Sequence, residues 1–167
     1  MKKSARAAMK KTKARKGMVI FDTEFGNTER IANSLASGLK RAGMSMECVG
    51  TGQVDVRSLA KLDLLVLGAP TQTFTASKRM RDFLDKLQSA KALSGKRFYA
   101  FDTKLPSKFS GSAARYIESK LEGMGMKSAG PSASAIGRGS VFKLDDGEEQ
   151  KFEEIGFELG SRLLKSK

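Results

Sequence analysis

Between an apolar run and an amphipathic segment the chain reads Phe21-Asp22-Thr23-Glu24-Phe25-Gly26-Asn27-Thr28-Glu29-Arg30. Thr23 and Thr28 offer hydroxyl donors and Asn27 a side-chain amide. Gly26 between them permits close backbone approach and dihedrals that a side chain forbids. The run at residues 18–21 reads as a strand, and a helix begins near Asn27 or Thr28. The first turn of a helix has N–H groups without intrahelical acceptors, at the positive end of the helix dipole. Donors of this kind, in this order, bind phosphate. Simple helix capping by Thr23, Asn27 or Thr28 is the alternative that needs no ligand. Capping does not require Gly26-Asn27-Thr28 together with a threonine three residues ahead of the glycine, so the phosphate reading is preferred.

Other chemistries are excluded by what the chain lacks. There is no histidine and one cysteine. That removes Ser-His-Asp and Cys-His catalysis, histidine zinc sites, thiolate clusters and an intrachain disulfide. Cys48, between Glu47 and Val49, reads as a buried inert thiol on a strand and fits a reducing compartment. Asp22, Glu24 and Asp102 could suggest acid–base chemistry, but nothing in the sequence fixes their separation. No catalytic residue and no metal ligand is assigned.

The elements that must position the loop alternate strand and helix. Ile31, Leu35 and Leu39, with Ala32 and Ala36, make one apolar helix face that ends at Ala42-Gly43. Residues 45–49 read as a weaker strand near a sheet edge, followed by a short helical turn. Residues 62–67 are almost continuously apolar, as in a strand buried on both faces. Ser77 is placed to cap a helix whose core face is Met80, Phe83, Leu84 and Leu87. A strand at 97–101 and a helix from about Ser112 follow, the helix burying Ala113, Ile117 and Leu121. Residues 126–142 hold a last strand, and a final helix from about Gly147 turns Phe152, Ile155, Leu159 and Leu163 inward. Five strands, each followed by helical structure, predict an α/β fold: a doubly wound, five-stranded parallel sheet with helices on both faces. With strand order 2-1-3-4-5, the loops after the first, third and fourth strands converge at the switch point.

The chain of 167 residues suits one domain at 18–167, preceded by a basic segment at 1–17. The net charge is +13, and the eight cations of residues 1–17, which contain no acid, leave +5 for the rest. That segment reads as disordered. It could bind nucleic acid, serve only as a solvated tail, or include residues upstream of a true start at Met9 or Met18. The readings without nucleic acid are preferred. No segment has the length of a membrane span and the basic start lacks an apolar signal core, which predicts a cytoplasmic protein.

Rival phosphate loops fail. Gly95-Lys96 lacks both the upstream glycine and the following hydroxyl of a P-loop, and no Gly-x-Gly-x-x-Gly follows the first strand. Gly123-x-Gly125 and Gly137-x-Gly139 read as turns. What remains, [Ser/Thr]-x-x-Gly-Asn-Thr, resembles the FMN-phosphate loop of the flavodoxin family, and its aromatic version is similar to archaeal and anaerobic flavodoxin domains. Gly68-Ala69-Pro70-Thr71 resembles that family's second flavin loop. Phe101-Asp102-Thr103 through Gly111-Ser112-Ala113-Ala114 stands where the third would be. The resemblance covers residues 18–164 in element order as well as motif.

The resemblance implies an FMN protein. Thr23, Glu24, Phe25, Gly26, Asn27 and Thr28 would surround the phosphate. Pro70, Thr71, Gln72, Thr73 and Phe74 would pass along the isoalloxazine ring, and Thr103, Lys104, Leu105 and Phe109 would close its other side. Phe74 and Phe109 would replace the Trp and Tyr that many members set against the ring, or would simply be packed loop aromatics. The implied function is electron transfer between redox partner proteins. The alternatives are an FMN-dependent NAD(P)H:quinone-type oxidoreductase and a flavin-free module that binds nucleic acid. Typical members are acidic and this body is basic, a setting expected to stabilise the anionic reduced flavin and raise its potential.

Overall fold

In a computed structural model of the chain, residues 15–90 and 92–166 are described; the proposed tail at 1–14 lies outside them. The first strand, β1 (Lys16–Phe21), begins two residues ahead of the apolar run because Lys16 still pairs with Ser45, and Gly17 with Met46 on one side and Leu64 on the other. It is followed by α1 (Asn27–Ala42), β2 (Ser45–Gly50), 3₁₀ turns at Thr51–Gln53 and Val56–Lys61, and β3 (Leu64–Gln72). Then come β4 (Thr75–Ala76), α2 (Lys78–Ala90), β5 (Arg97–Lys104) and α3 (Ala113–Gly123). The chain closes with β6 (Lys127–Ser128), β7 (Ala133–Arg138), β8 (Lys143–Leu144) and α4 (Glu148–Lys165).

The five long strands are parallel in the order β2-β1-β3-β5-β7, which is the predicted 2-1-3-4-5. Three two-residue strands extend the sheet to eight. β4 and β8 turn back antiparallel on β3 and β7, and β6 runs parallel to β5. They make the sheet mixed rather than purely parallel.

Alternation along the strands divides the core. Ile20, Leu65, Leu67, Phe98 and Ala100 face α2 and α3; Val19, Leu64, Val66, Tyr99 and Phe101 face α1 and α4. The apolar stripe of α1 is fully buried, and the helix ends where Gly43 turns left-handed at φ 113°. Its N–H and that of Met44 then return to Lys40 and Leu39 carbonyls, closing the last turn. α1 and α4 touch backbone to backbone: a Cβ on Gly38 would stand 2.0 Å from the Glu153 carbonyl oxygen, and one on Gly156 2.2 Å from that of Leu35. This contact holds the second half of α1 against α4.

Candidate functional site

The loops after β1, β3 and β5 meet at the carboxyl end of the sheet, where the strand order reverses between β1 and β3. They enclose a cleft of about 250 Å³. Thr23, Glu24 and Phe25 line it from the first loop and Asn27 and Thr28 from the start of α1; Pro70, Thr71 and Gln72 line it from the end of β3, Thr103 and Lys104 from the end of β5, and Leu105 from the loop that follows. Gly26, Thr73, Phe74 and Phe109, also expected there, do not line it. Gly139, Ser140 and Phe142, from the turn between β7 and β8, supply a wall that the sequence did not suggest.

The first loop is shaped by Gly26, left-handed at φ 92° in the N-cap position of α1. The Arg30 N–H donates to its carbonyl at 3.1 Å, so α1 starts in regular fashion. No side chain caps this end. The three side chains that could have done so are used elsewhere. Thr23 Oγ1 accepts from the Gly26 N–H at 2.9 Å, which leaves its own proton free to be donated. Asn27 Nδ2 donates to the Phe142 carbonyl at 3.1 Å, and the Thr28 hydroxyl pairs with that of Thr103 at 2.9 Å in a buried contact. The N–H groups of Asn27, Thr28 and Glu29 are therefore first-turn donors without an intrahelical acceptor or a side-chain cap. A Cβ placed on Gly26 would meet nothing within 4 Å, so the approach to these donors is open. The loop is braced from α2. Arg79 Nε lies 3.0 Å from Asp22 Oδ1, its guanidinium donates to the Thr23 carbonyl at 3.1 Å, and the Ser77 hydroxyl donates to Asp22 Oδ2. Arg79 thus braces the first loop from α2, a role visible only in three dimensions.

The second loop is a tight hairpin. Gln72 pairs with Thr75, so Thr73 and Phe74 form its two-residue tip, with φ of 49° and 71°. Both central residues at positive φ is the type I′ pattern that favours Asn and Gly; threonine and phenylalanine adopt it only under strain. Phe74 also bridges to Gly111 of the third loop, joining the two flanks of the cleft. Beneath them Asp102, fully buried, accepts through Oδ2 from Thr71 Oγ1, Ser112 Oγ and the Ala114 N–H at 2.7–3.1 Å. Its Oδ1 has no partner among the described residues. Lys104 Nζ turns back to the Gly111 carbonyl at 2.9 Å. These bonds fix the third loop to the second.

Chemically, the cleft offers donors and little acid–base capacity. Glu24 is the carboxylate in its lining, and it accepts from Gln72 Nε2 at 2.6 Å. Asp22 and Asp102 are committed to the bonds just described, so the three carboxylates hold loops in place. Cys48 is half-buried on β2; burial first, and then the charge of Glu29, push its pKa up to about 11, which keeps it a thiol. The rim is apolar. Phe25, Phe74 and Phe109 are 81, 69 and 77% exposed, so neither Phe74 nor Phe109 is packed into the fold as a loop aromatic.

Comparison with known proteins gives one answer. The profile of the family described as Flavodoxin matches residues 19–158. A flavodoxin from Clostridium saccharobutylicum is 29% identical over 86 residues, a match that spans 51% of this chain and about half, 53%, of that relative. Among solved structures, a flavodoxin from the domain Archaea superposes with a TM-score of 0.75 at 20% identity, covering 89% of this chain and 99% of that one. Oxidised flavodoxin 1 from Bacillus cereus superposes at 0.74 with 22% identity, covering 86% and 96%.

Proposed function

The chain belongs to the flavodoxin family, and from that membership we propose that it binds FMN in this cleft and carries electrons between redox partner proteins. The observation that supports the reading most is the uncapped start of α1, open to the cleft although three residues able to cap it stand alongside. The residues fit the group. The N–H groups of Asn27, Thr28 and Glu29, with the Thr23 hydroxyl, would hold the phosphate, and Arg79, paired with Asp22 and bonded to the Thr23 carbonyl, would hold the loop in shape around it. The Asn27 side chain would act by holding the turn at residues 139–142 against the cleft, while only its backbone N–H would donate to the phosphate. Thr71, Gln72, Thr103, Lys104 and Leu105 would flank the ring, with the strained Thr73-Phe74 tip above them.

When bound, FMN supplies the one- and two-electron chemistry; the protein supplies position and electrostatic bias. Glu24, the carboxylate of the lining, accepts from Gln72, and Asp22 and Asp102 behind it are bonded to neighbouring segments, which favours a carrier over an enzyme that must move protons to a substrate. No helix among the described residues is long and apolar enough to cross a membrane, and we place the protein in the cytoplasm. The purified protein should turn yellow when offered FMN and should not consume NAD(P)H with a quinone unless a separate reductase is added. Steady turnover without one would favour the oxidoreductase; a protein that stays colourless would remove the proposal.

A further inference from the structure

Five of the seven large apolar side chains exposed among the described residues stand around the cleft: Phe25, Phe74, Leu105, Phe109 and Val141. Apolar exposure gathered in one place marks a contact surface. Phe25 and Leu105 face the cleft, where a bound flavin would cover part of them; Phe74, Phe109 and Val141 lie outside its lining. The charge on the two flanking segments is mostly positive, although Lys78 pairs with Asp82, Arg79 pairs with Asp22, and Glu24 stands in the cleft itself. Residues 71–81 contain Lys78, Arg79 and Arg81 and no acid, and residues 103–117 contain Lys104, Lys108 and Arg115 and no acid. Lys78, Lys108 and Arg115 are exposed, and Lys108 lies 5.5 Å from the centre of the Phe109 ring, so charge and apolar surface alternate on the same loop.

We propose that this rim is a docking face for a redox protein with an acidic surface; the inference rests on the electron-carrier reading above. Charge complementarity selects the occupant. A second copy of this chain, paired through the same face, would set these cations against their own counterparts. A basic partner would meet the same repulsion. An acidic protein would be steered to the rim by the cations and held by the exposed phenylalanines and Val141, the polar-rim and apolar-centre pattern of protein interfaces.

The test uses the full chain loaded with FMN and two probes of opposite charge in stopped flow. A reduced, strongly acidic [2Fe–2S] ferredoxin donates one electron to the oxidised flavin and becomes oxidised. A basic c-type cytochrome accepts one electron from the reduced flavin, its iron passing from ferric to ferrous. The ferredoxin rate should fall about tenfold between low and high salt, while the cytochrome rate should rise or stay level. The triple variant K78E/K108E/R115E should retain FMN affinity yet lose about tenfold of the ferredoxin rate at low salt. Residues 1–14 are the same in both chains, so their charge cancels in that comparison. Val141→Ser should slow the ferredoxin reaction at high salt, where the charges are screened. A ferredoxin rate indifferent to salt and to the triple variant would overturn the assignment, as would a cytochrome rate that falls with salt. A chain that takes up no FMN would instead sink the electron-carrier reading, and this inference with it.

Discussion

The buried hydroxyl pair of Thr28 and Thr103 ties the first turn of α1 to the end of β5 across 75 residues of sequence. Thr28 is 2% and Thr103 3% exposed, so neither hydroxyl can exchange its partner for bulk water. Thr28→Val keeps the shape and removes one hydroxyl, which strands the other in a dry contact. A buried polar group left unpaired costs about 1–3 kcal/mol, and about 2 kcal/mol is the expected loss here. Thr103→Val should cost about the same, because the contact is symmetric. Removing both hydroxyls strands nothing, and such a replacement is close to neutral. The double variant should therefore be within about 0.5 kcal/mol of the parent, giving a coupling energy near 3–4 kcal/mol. Urea unfolding of the four proteins without flavin, with a common slope, measures all the terms. At about 2–4 °C per kcal/mol for a domain of this size, each single variant should melt roughly 4–8 °C early. Simple addition, with the double variant worse than either single one, would refute the argument that the two hydroxyls serve each other.

Three further outcomes follow from the geometry. Gly38→Ala and Gly156→Ala should each destabilise by about 1–3 kcal/mol or more, because the new methyl meets helix backbone at 2.0 and 2.2 Å; Gly52→Ala, with nothing within 4 Å, is the control in the same thermal melt. Phe74→Gly should raise stability by about 1 kcal/mol in urea unfolding by removing the strain of a phenylalanine at φ 71°. Cys48, its pKa raised from 9.0 to about 11, should resist iodoacetamide at pH 8, where about 0.1% would be thiolate, and react appreciably only as the pH passes 10. The sign also runs through stability: Cys48's contribution is complete below pH 9 and is lost as the pH rises through 11.

The architecture was legible because its signals are local. A strand buried on both faces must be an apolar run, as residues 64–67 are, and a helix lying on a sheet must repeat its apolar residues, as Ile31, Leu35 and Leu39 do. The first loop was legible for the same reason, since all its parts lie within eight residues. β4, β6 and β8 escaped because two residues carry no periodicity. Arg79 reaches Thr23 across 56 residues and Asn27 reaches Phe142 across 115, contacts that no local pattern encodes. The hairpin tip was hidden by its composition: Thr73-Phe74 is the reverse of what a type I′ turn asks for. Asn27 illustrates the limit most clearly. Its amide was readable as a donor, but its acceptor, the Phe142 carbonyl, depends on a turn at the far end of the chain.

The central claim is that a phosphate is held at the open start of α1. Riboflavin is FMN without that phosphate, so the ratio of their affinities, measured by quenching of flavin fluorescence on the same protein, isolates the claim. FMN should bind at least about 100-fold more tightly, since charge-assisted bonds from first-turn N–H groups exist only for the phosphate. Equal affinity for the two flavins, or none for either, would contradict it.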